Sequence, residues 1–446
     1  MDGGRELPDH AGARPGTWFA PNGRFSVLGG RTSDLAGSDL LSPSEYDPGT
    51  NTWSVKSAVF PDNQVNNMVG GVLTDAGTPY IYCVGGSAAG AATSTPDMRR
   101  YDPVADAITT VATDPWPAPL NTLPGGGAVF NNKLYVVGGF TIGVGMTDQI
   151  WEFDPAALAG SRWTQKSATL PVQMGYIPTA PVGNSIYIGG GTTFSAGLLF
   201  DSMNSYAYDP LTDVLTTIAS IPRATGETRA VNEGGQMWVL GGGRTSPNPS
   251  NQVDAYSPGP NSWSLAPSFV TARRNIAADV DPATGNIYMV GGYAPTTATD
   301  NMEIFTSCLP TTYCTAKVNS AGCTPAIGST GSPSATAGSG FVISTTNELD
   351  NRNGLYFYGK TGANNAPFQG GFLCALAPLT RTPVQNSGGT PPCNGSYSID
   401  FNAYIAGGTD PALVSGQQVW IQTWSRDPAS ASTTNLSDAL TFVICP

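Results

Sequence analysis

Arginine is the residue type in this chain best placed to do chemistry. Arg31, Arg244 and Tyr293 directly follow or lie near paired glycines, and Arg223, Arg229, Arg273 and Arg274 lie in connections further along, with Glu227 between Arg223 and Arg229. Forked guanidinium donors suit an anionic or sugar ligand held through paired N–H···O bonds. The plainer alternative is structural: the same side chains brace neighbouring elements through salt bridges and bonds to exposed loop carbonyls. Arginine neighbours favour the charged form of a carboxylate, which argues against Glu227 as a proton donor.

Other chemistry finds less support. The sole histidine, His10, falls in a loose N-terminal segment (residues 1–15), and no Cys-x-x-Cys occurs, so neither a metal site nor a cofactor is expected. A serine nucleophile would have only His10 as its base, and no Gly-x-Ser-x-Gly elbow is present. "DVDPATG", Asp279 to Gly285, sets two carboxylates two apart but lacks the further acids and the bidentate glutamate of a calcium loop, so it is read as a turn. Trp116, Phe140, Phe194, Phe200 and Tyr293 fall in expected loops, where they either offer stacking faces to a carbohydrate or plug junctions between elements.

The elements that must position these residues repeat. Diglycines stand at Gly29-Gly30, Gly85-Gly86, Gly138-Gly139, Gly189-Gly190, Gly241-Gly242 and Gly291-Gly292. Each is followed by an aromatic turn element, "YDP" at Tyr46, Tyr101 and Tyr208, "FDP" at Phe153, "YSP" at Tyr256 and "FTS" at Phe305. A bulky apolar residue comes next: Trp53, Ile108, Leu215 and Trp263 stand seven residues after the aromatic, and Trp163 is displaced by a short insertion. A hairpin signature precedes every diglycine, as in "GGAVFNNKLYVVGG", so each repeat reads as four antiparallel strands. A lone unit of about 50 residues cannot bury both faces, so the units must stack around an axis. With 55 Gly, 37 Pro and 12% charged residues, the composition fits a turn-rich, mostly β chain of two domains.

The diglycine, the spaced Tyr and the spaced Trp together resemble the kelch repeat over residues 16–318. That resemblance implies an all-β fold, a six-bladed kelch-type β-propeller, here followed by a small β-sandwich. Blade six is expected to take its outer strand from "TTYCTAKV", Thr311 to Val318. Galactose oxidase, a kelch-type copper enzyme, uses two histidines that this sequence lacks, and the Asp-box of sialidases is missing. A Gly/Ser/Thr-rich linker is expected at 319–340, and a β-sandwich at 341–446. The stretches "PFQGGFLC" and "SRDPASASTTNLSDAL" resemble a C-terminal module of exported planctomycete and other Gram-negative bacterial proteins.

Six cysteines lie in this last third, which suits disulfides in an oxidising compartment, whereas Cys83 stands alone in an apolar strand. Proximity and the module resemblance suggest Cys314–Cys323 and Cys374–Cys393, leaving Cys308 and Cys445 as a clamp. The formal charge of −12 and the lack of a basic block disfavour nucleic acid, and no stretch is long and apolar enough to span a membrane. An exported or surface-displayed binding protein with a protein or glycan ligand on its loops is expected. The alternative is a metal-independent carbohydrate-active enzyme, lyase or epimerase-like, using arginine and carboxylates at the propeller centre.

Overall fold

The computed structural model describes residues 2–8 and 15–445, so His10 lies outside the described residues. The chain forms two compact units, one running to Phe305 and the other from Thr306 onward, with the short turn Ala283–Gly285 grouped with the second. Nearly every regular element is β; the helix Phe401–Ala406 is the exception among the described residues.

The first unit holds six four-stranded antiparallel sheets among its described residues. Blades 1 to 6 begin with the inner strands Gly16–Phe19, Val69–Asp75, Thr122–Phe130, Thr179–Val182, Arg229–Glu233 and Ala277–Val280. Each inner strand neighbours the next, and the sixth neighbours the first, closing a ring. Each buried apolar cluster spans one junction between blades; Val69, Leu73 and Tyr82 of blade 2, for example, pack with Leu134, Trp151 and Phe153 of blade 3. Side chains that cannot be covered within one sheet are therefore covered by the next blade, which is why the repeats stack.

The repeat residues build these junctions. Tyr46, Tyr101, Tyr208 and Tyr256 are buried, and each donates its hydroxyl to an Asn or Asp five residues on, at 2.8, 3.1, 2.9 and 2.8 Å. That Asx residue also reaches another blade: Asp106 accepts the Ser57 N–H, Asp213 the Ser167 N–H and Asn261 the Ala219 N–H. Trp163 and Trp263 donate their indole N–H groups to Asp114 and Ala219 carbonyls of the preceding blade, and Trp53 donates to Arg5. The diglycines of blades 1, 2, 5 and 6, and Gly138 of blade 3, take left-handed or other positive-φ backbone where a side chain would collide; a Cβ on Gly86 would sit 2.2 Å from the Gln64 carbonyl. In blade 4 the left-handed pair is Gly190-Gly191, one residue later than expected, and Gly189 is instead small because Trp263 crosses it.

Two expectations about the strands are corrected. Blade 6 takes its fourth strand from Asp2–Gly3, which pairs with Met302–Phe305. Strand Thr311–Tyr313 pairs instead with Thr434–Val443 of the second unit. Closing the ring with its own N-terminus fuses the two ends of the repeat array and leaves no open seam. The span 319–340 is not a bare linker: Ala326–Thr330 pairs with Val342–Glu348.

The second unit holds a sheet built on Thr434–Val443, Gln418–Arg426 and Asn353–Gly359, together with a three-stranded sheet through Val342–Glu348. Its core joins Phe341, Ile343, Tyr356, Tyr358, Phe401, Ile421 and Phe442. Cys308 pairs with Cys445, as the clamp reading expects. The other two pairs are Cys314–Cys374 and Cys323–Cys393, in place of Cys314–Cys323 and Cys374–Cys393. Strand pairing outweighs closeness in sequence here. The hydroxyl of Tyr313, next to Cys314, donates to the Cys374 carbonyl at 2.5 Å, so those two segments are already side by side. Cys83 is a buried thiol that burial pushes up to about 12, a packing residue rather than a nucleophile.

Candidate functional site

At one mouth of the propeller axis, four residues leading into inner strands share a left-handed backbone: Asn67, Tyr176, Glu227 and Asn275, with φ of 60°, 50°, 52° and 54°. They line one small pocket together with Arg229 and Thr228. Asparagine tolerates this conformation through its short polar side chain, but tyrosine and glutamate are held there at a cost of about 1 kcal/mol each. The cost is met at Glu227 by hydrogen bonds on every side. Its N–H donates to the Tyr176 carbonyl at 3.0 Å, and its own carbonyl accepts the Asn275 N–H.

The Glu227 carboxylate is 2% exposed and accepts from Arg244 Nε, Arg274 Nη1 and, at 3.1 Å, Asn275 Nδ2. Arg274 lies over the Tyr293 ring at 5.2 Å. The Tyr293 hydroxyl accepts from Arg31 Nε at 3.0 Å, and Arg31 pairs with Asp34 at 2.7 Å. Three of the anticipated arginines and Tyr293 thus form one chain of contacts around Glu227. Arg244 is 44% exposed, and among the described residues its guanidinium bonds to protein through Nε, which leaves the two terminal amino groups as donors for another partner. Burial lowers the affinity of the Arg244 guanidinium for its proton, but Glu227 more than offsets this and its pKa is raised.

Tyr176 stands beside the cluster. Burial pushes its phenol up to about 12, reinforced by Glu227 and opposed by Arg244, Arg31 and Arg274. Behind the ring a cavity of about 310 Å³ follows the axis, walled by the inner strands. Arg229 lines both the mouth and this cavity, and desolvation pulls its guanidinium down to about 10. Asp279 lines the cavity further along. Burial raises its carboxyl, against the pull of the Trp18 and Val280 N–H groups and the Thr17 hydroxyl. The Asp279–Gly285 stretch therefore leads from a channel wall into a hairpin turn, and no group of three or more acidic, Cys or His side chains suited to a metal occurs among the described residues.

Two anticipated residues have structural partners instead. Arg273 is fully buried and donates to the Asn301 carbonyl and to Glu303. Arg223 donates to Asn248, to Asp254 and to the Gly241 carbonyl at the diglycine. Both act as braces, the reading that sequence alone left open. Of the aromatics expected in loops, Phe140, Phe194 and Phe200 lie instead in strands; Trp116 is buried in the junction of blades 2 and 3, whereas Phe140 contacts both Tyr176 and Phe194 beside the mouth. Tyr176, Asn67, Asn275 and Asp34 went unmarked in the sequence. The available signal was positional: each of the first three follows by two residues a backbone segment that packs on the preceding blade's diglycine.

No family model matches the chain. Kelch repeat and BTB domain-containing protein 1 of cowpox virus is 26% identical over 241 residues, which is 53% of this chain and 39% of that protein. Kelch-like protein 15 of Danio rerio is 29% identical over 234 residues, 49% of this chain and 36% of that one. The chain thus spans about two fifths of the length of these curated relatives. The solved structure of YjhT superposes with a TM-score of 0.54 at 14% identity, covering 68% of this chain and 96% of that one, a likeness of fold.

Proposed function

We propose, on the premise that residues 2–305 form a kelch-type β-propeller, that this chain is a binding protein whose loop face holds an anionic group of a protein ligand. The observation that carries the reading is the Arg244 guanidinium, fixed by Glu227 at its Nε on a side chain that is 44% exposed. Four arginines, Arg31, Arg229, Arg244 and Arg274, gather there beside four carboxylates, Glu227, Asp34, Asp39 and Asp201, so this mouth is balanced in a chain that carries −12 overall. An exposed guanidinium on such a surface orients an acidic partner that the rest of the chain would repel. The low-identity likeness to kelch-repeat proteins supports a protein ligand over a glycan.

The enzyme alternative requires a carboxylate with room to accept and release a proton. Glu227 receives three donors and is buried, so it serves as counter-ion and positioner. Three disulfides support folding in an oxidising compartment and with it an extracellular setting, the second unit attaching or presenting the propeller. No helix among the described residues is long and apolar enough to cross a membrane.

Fluorescence anisotropy of the full chain with a labelled glutamate-rich octapeptide tests the reading. Arg244→Gln is expected to weaken binding about tenfold, the loss of one charge-assisted contact, while Arg381→Gln, an exposed arginine of the second unit, leaves it unchanged. No binding, or equal loss in both variants, would refute it.

A further inference from the structure

Blades 3 and 4 differ from the others in one respect that the repeat does not require. Their middle strands run on past the diglycines, as Lys133–Thr141 with Gly145–Phe153 and as Ser185–Ser195 with Leu198–Asp209. The corresponding strands of blades 1, 2 and 6 stop before their glycines, and that of blade 5 stops at Gly242. The two extended hairpins touch: Phe140 lies 5.5 Å from Phe194, ring to ring, and 6.1 Å from Tyr176. Phe194 and its cross-strand partner Leu199 share one face of the blade 4 hairpin. Apolar side chains also crown the tips, with Val144 77% and Leu198 61% exposed.

This wall adjoins the arginine cluster. The Tyr176 carbonyl holds the Glu227 N–H, and Asp201 of the blade 4 hairpin accepts the N–H groups of Arg244 and Thr245 at 2.8 Å each. A charged floor thus meets an apolar wall, and neither is needed to close the propeller. We propose that the hairpins of blades 3 and 4 form the apolar half of a two-part docking surface for an extended acidic protein segment. A carboxylate of the segment sits on Arg244, and a bulky apolar side chain packs on Phe140 and Phe194. The ring centroids of Tyr176, Phe140 and Phe194 follow one another at 6.1 and 5.5 Å, so the wall reaches no farther from Tyr176 than an extended chain covers in about three residues. The inference rests on the anionic-ligand reading of the mouth and adds the second contact to it.

Panning a random nonapeptide display library on the full chain tests it. Wild type is expected to enrich peptides with Asp or Glu and, about three positions away, Phe, Leu or Trp. Phe194→Ala keeps the acidic preference but loses the apolar one, with affinity for the selected peptides reduced about tenfold. Phe200→Ala, whose side chain lies on the opposite face of the same hairpin, selects as wild type does. An unchanged melting temperature shows that both variants are folded. Enrichment of acidic peptides with no apolar preference, or with a preference that survives Phe194→Ala, overturns this inference and leaves the anionic pocket standing. No enrichment at all, or binding on a glycan array alone, overturns both.

Discussion

Replacing Glu227 by Gln keeps the side-chain shape and removes the charge that two arginines share. Removing one partner of a fully buried ion pair costs about 3–5 kcal/mol. Arg274 is mostly buried, but Arg244 is 44% exposed, so solvent screens the second contact and its share is small. The glutamine oxygen still accepts one donor, recovering about 1 kcal/mol. The net loss is about 2–3 kcal/mol, a fall of about 3–5 °C in the melting temperature of a propeller of this size. Differential scanning calorimetry measures it, and sulfate supplies a further readout: by occupying the uncompensated arginines, it should raise the melting temperature of the variant more than that of wild type. A fall below 1 °C with no difference in sulfate response would refute the assignment of Glu227 as the counter-ion of this cluster.

Asp213→Ala removes the acceptor for the Tyr208 hydroxyl and the Ser167 N–H and should destabilise the propeller by about 2 kcal/mol, read from urea unfolding. Burial works against the Asp213 and Asp106 carboxylates, yet hydrogen bonds from Ser167, Tyr208 and Ser57 hold both below the usual range. Their stabilisation is therefore present above the ordinary aspartate pKa and lost as pH falls through the depressed values, which melting curves below pH 4 will show. Glu348 of the second unit behaves oppositely. Burial pushes its carboxyl up to about 7, so its contribution is full below about pH 4.5 and is lost as pH rises through 7. Glu348→Gln should flatten that pH dependence between pH 5 and 8. Non-reducing peptide mapping should recover Cys308–Cys445, Cys314–Cys374 and Cys323–Cys393, with Cys83 alkylated only after unfolding; a Cys314–Cys323 peptide would contradict the pairing.

The blades were legible because their signals are local and recur: turn chemistry after the aromatic, apolar strands before the glycines, and a bulky residue near seven positions on. What escaped was set by contacts between distant segments. The Asx residue five positions after each tyrosine looked like turn chemistry alone, yet Asp106 and Asp213 staple separate blades together. Arg223 and Arg273 could not be told from Arg229 and Arg274 by type or position, and the sequence put all four beside Arg244 as candidates. Their difference is which loop carbonyl or carboxylate the fold sets beside them, Asp254 and Glu303 against the open mouth. Tyr176 and Asn67 carry no motif, and only the ring of left-handed residues around the axis joins them to Glu227. The cysteine pairing went the same way, because Thr311–Tyr313 joins a strand more than a hundred residues later.

Arginine-selective labelling with phenylglyoxal, read by peptide mass spectrometry with and without the glutamate-rich octapeptide, tests the central claim most directly. In the free chain Arg244 should react and Arg273, which is fully buried, should not. The peptide should protect Arg244 and leave the exposed Arg381 reactive. Protection of Arg381 alone, or undiminished labelling of Arg244 at saturating peptide, would contradict the account.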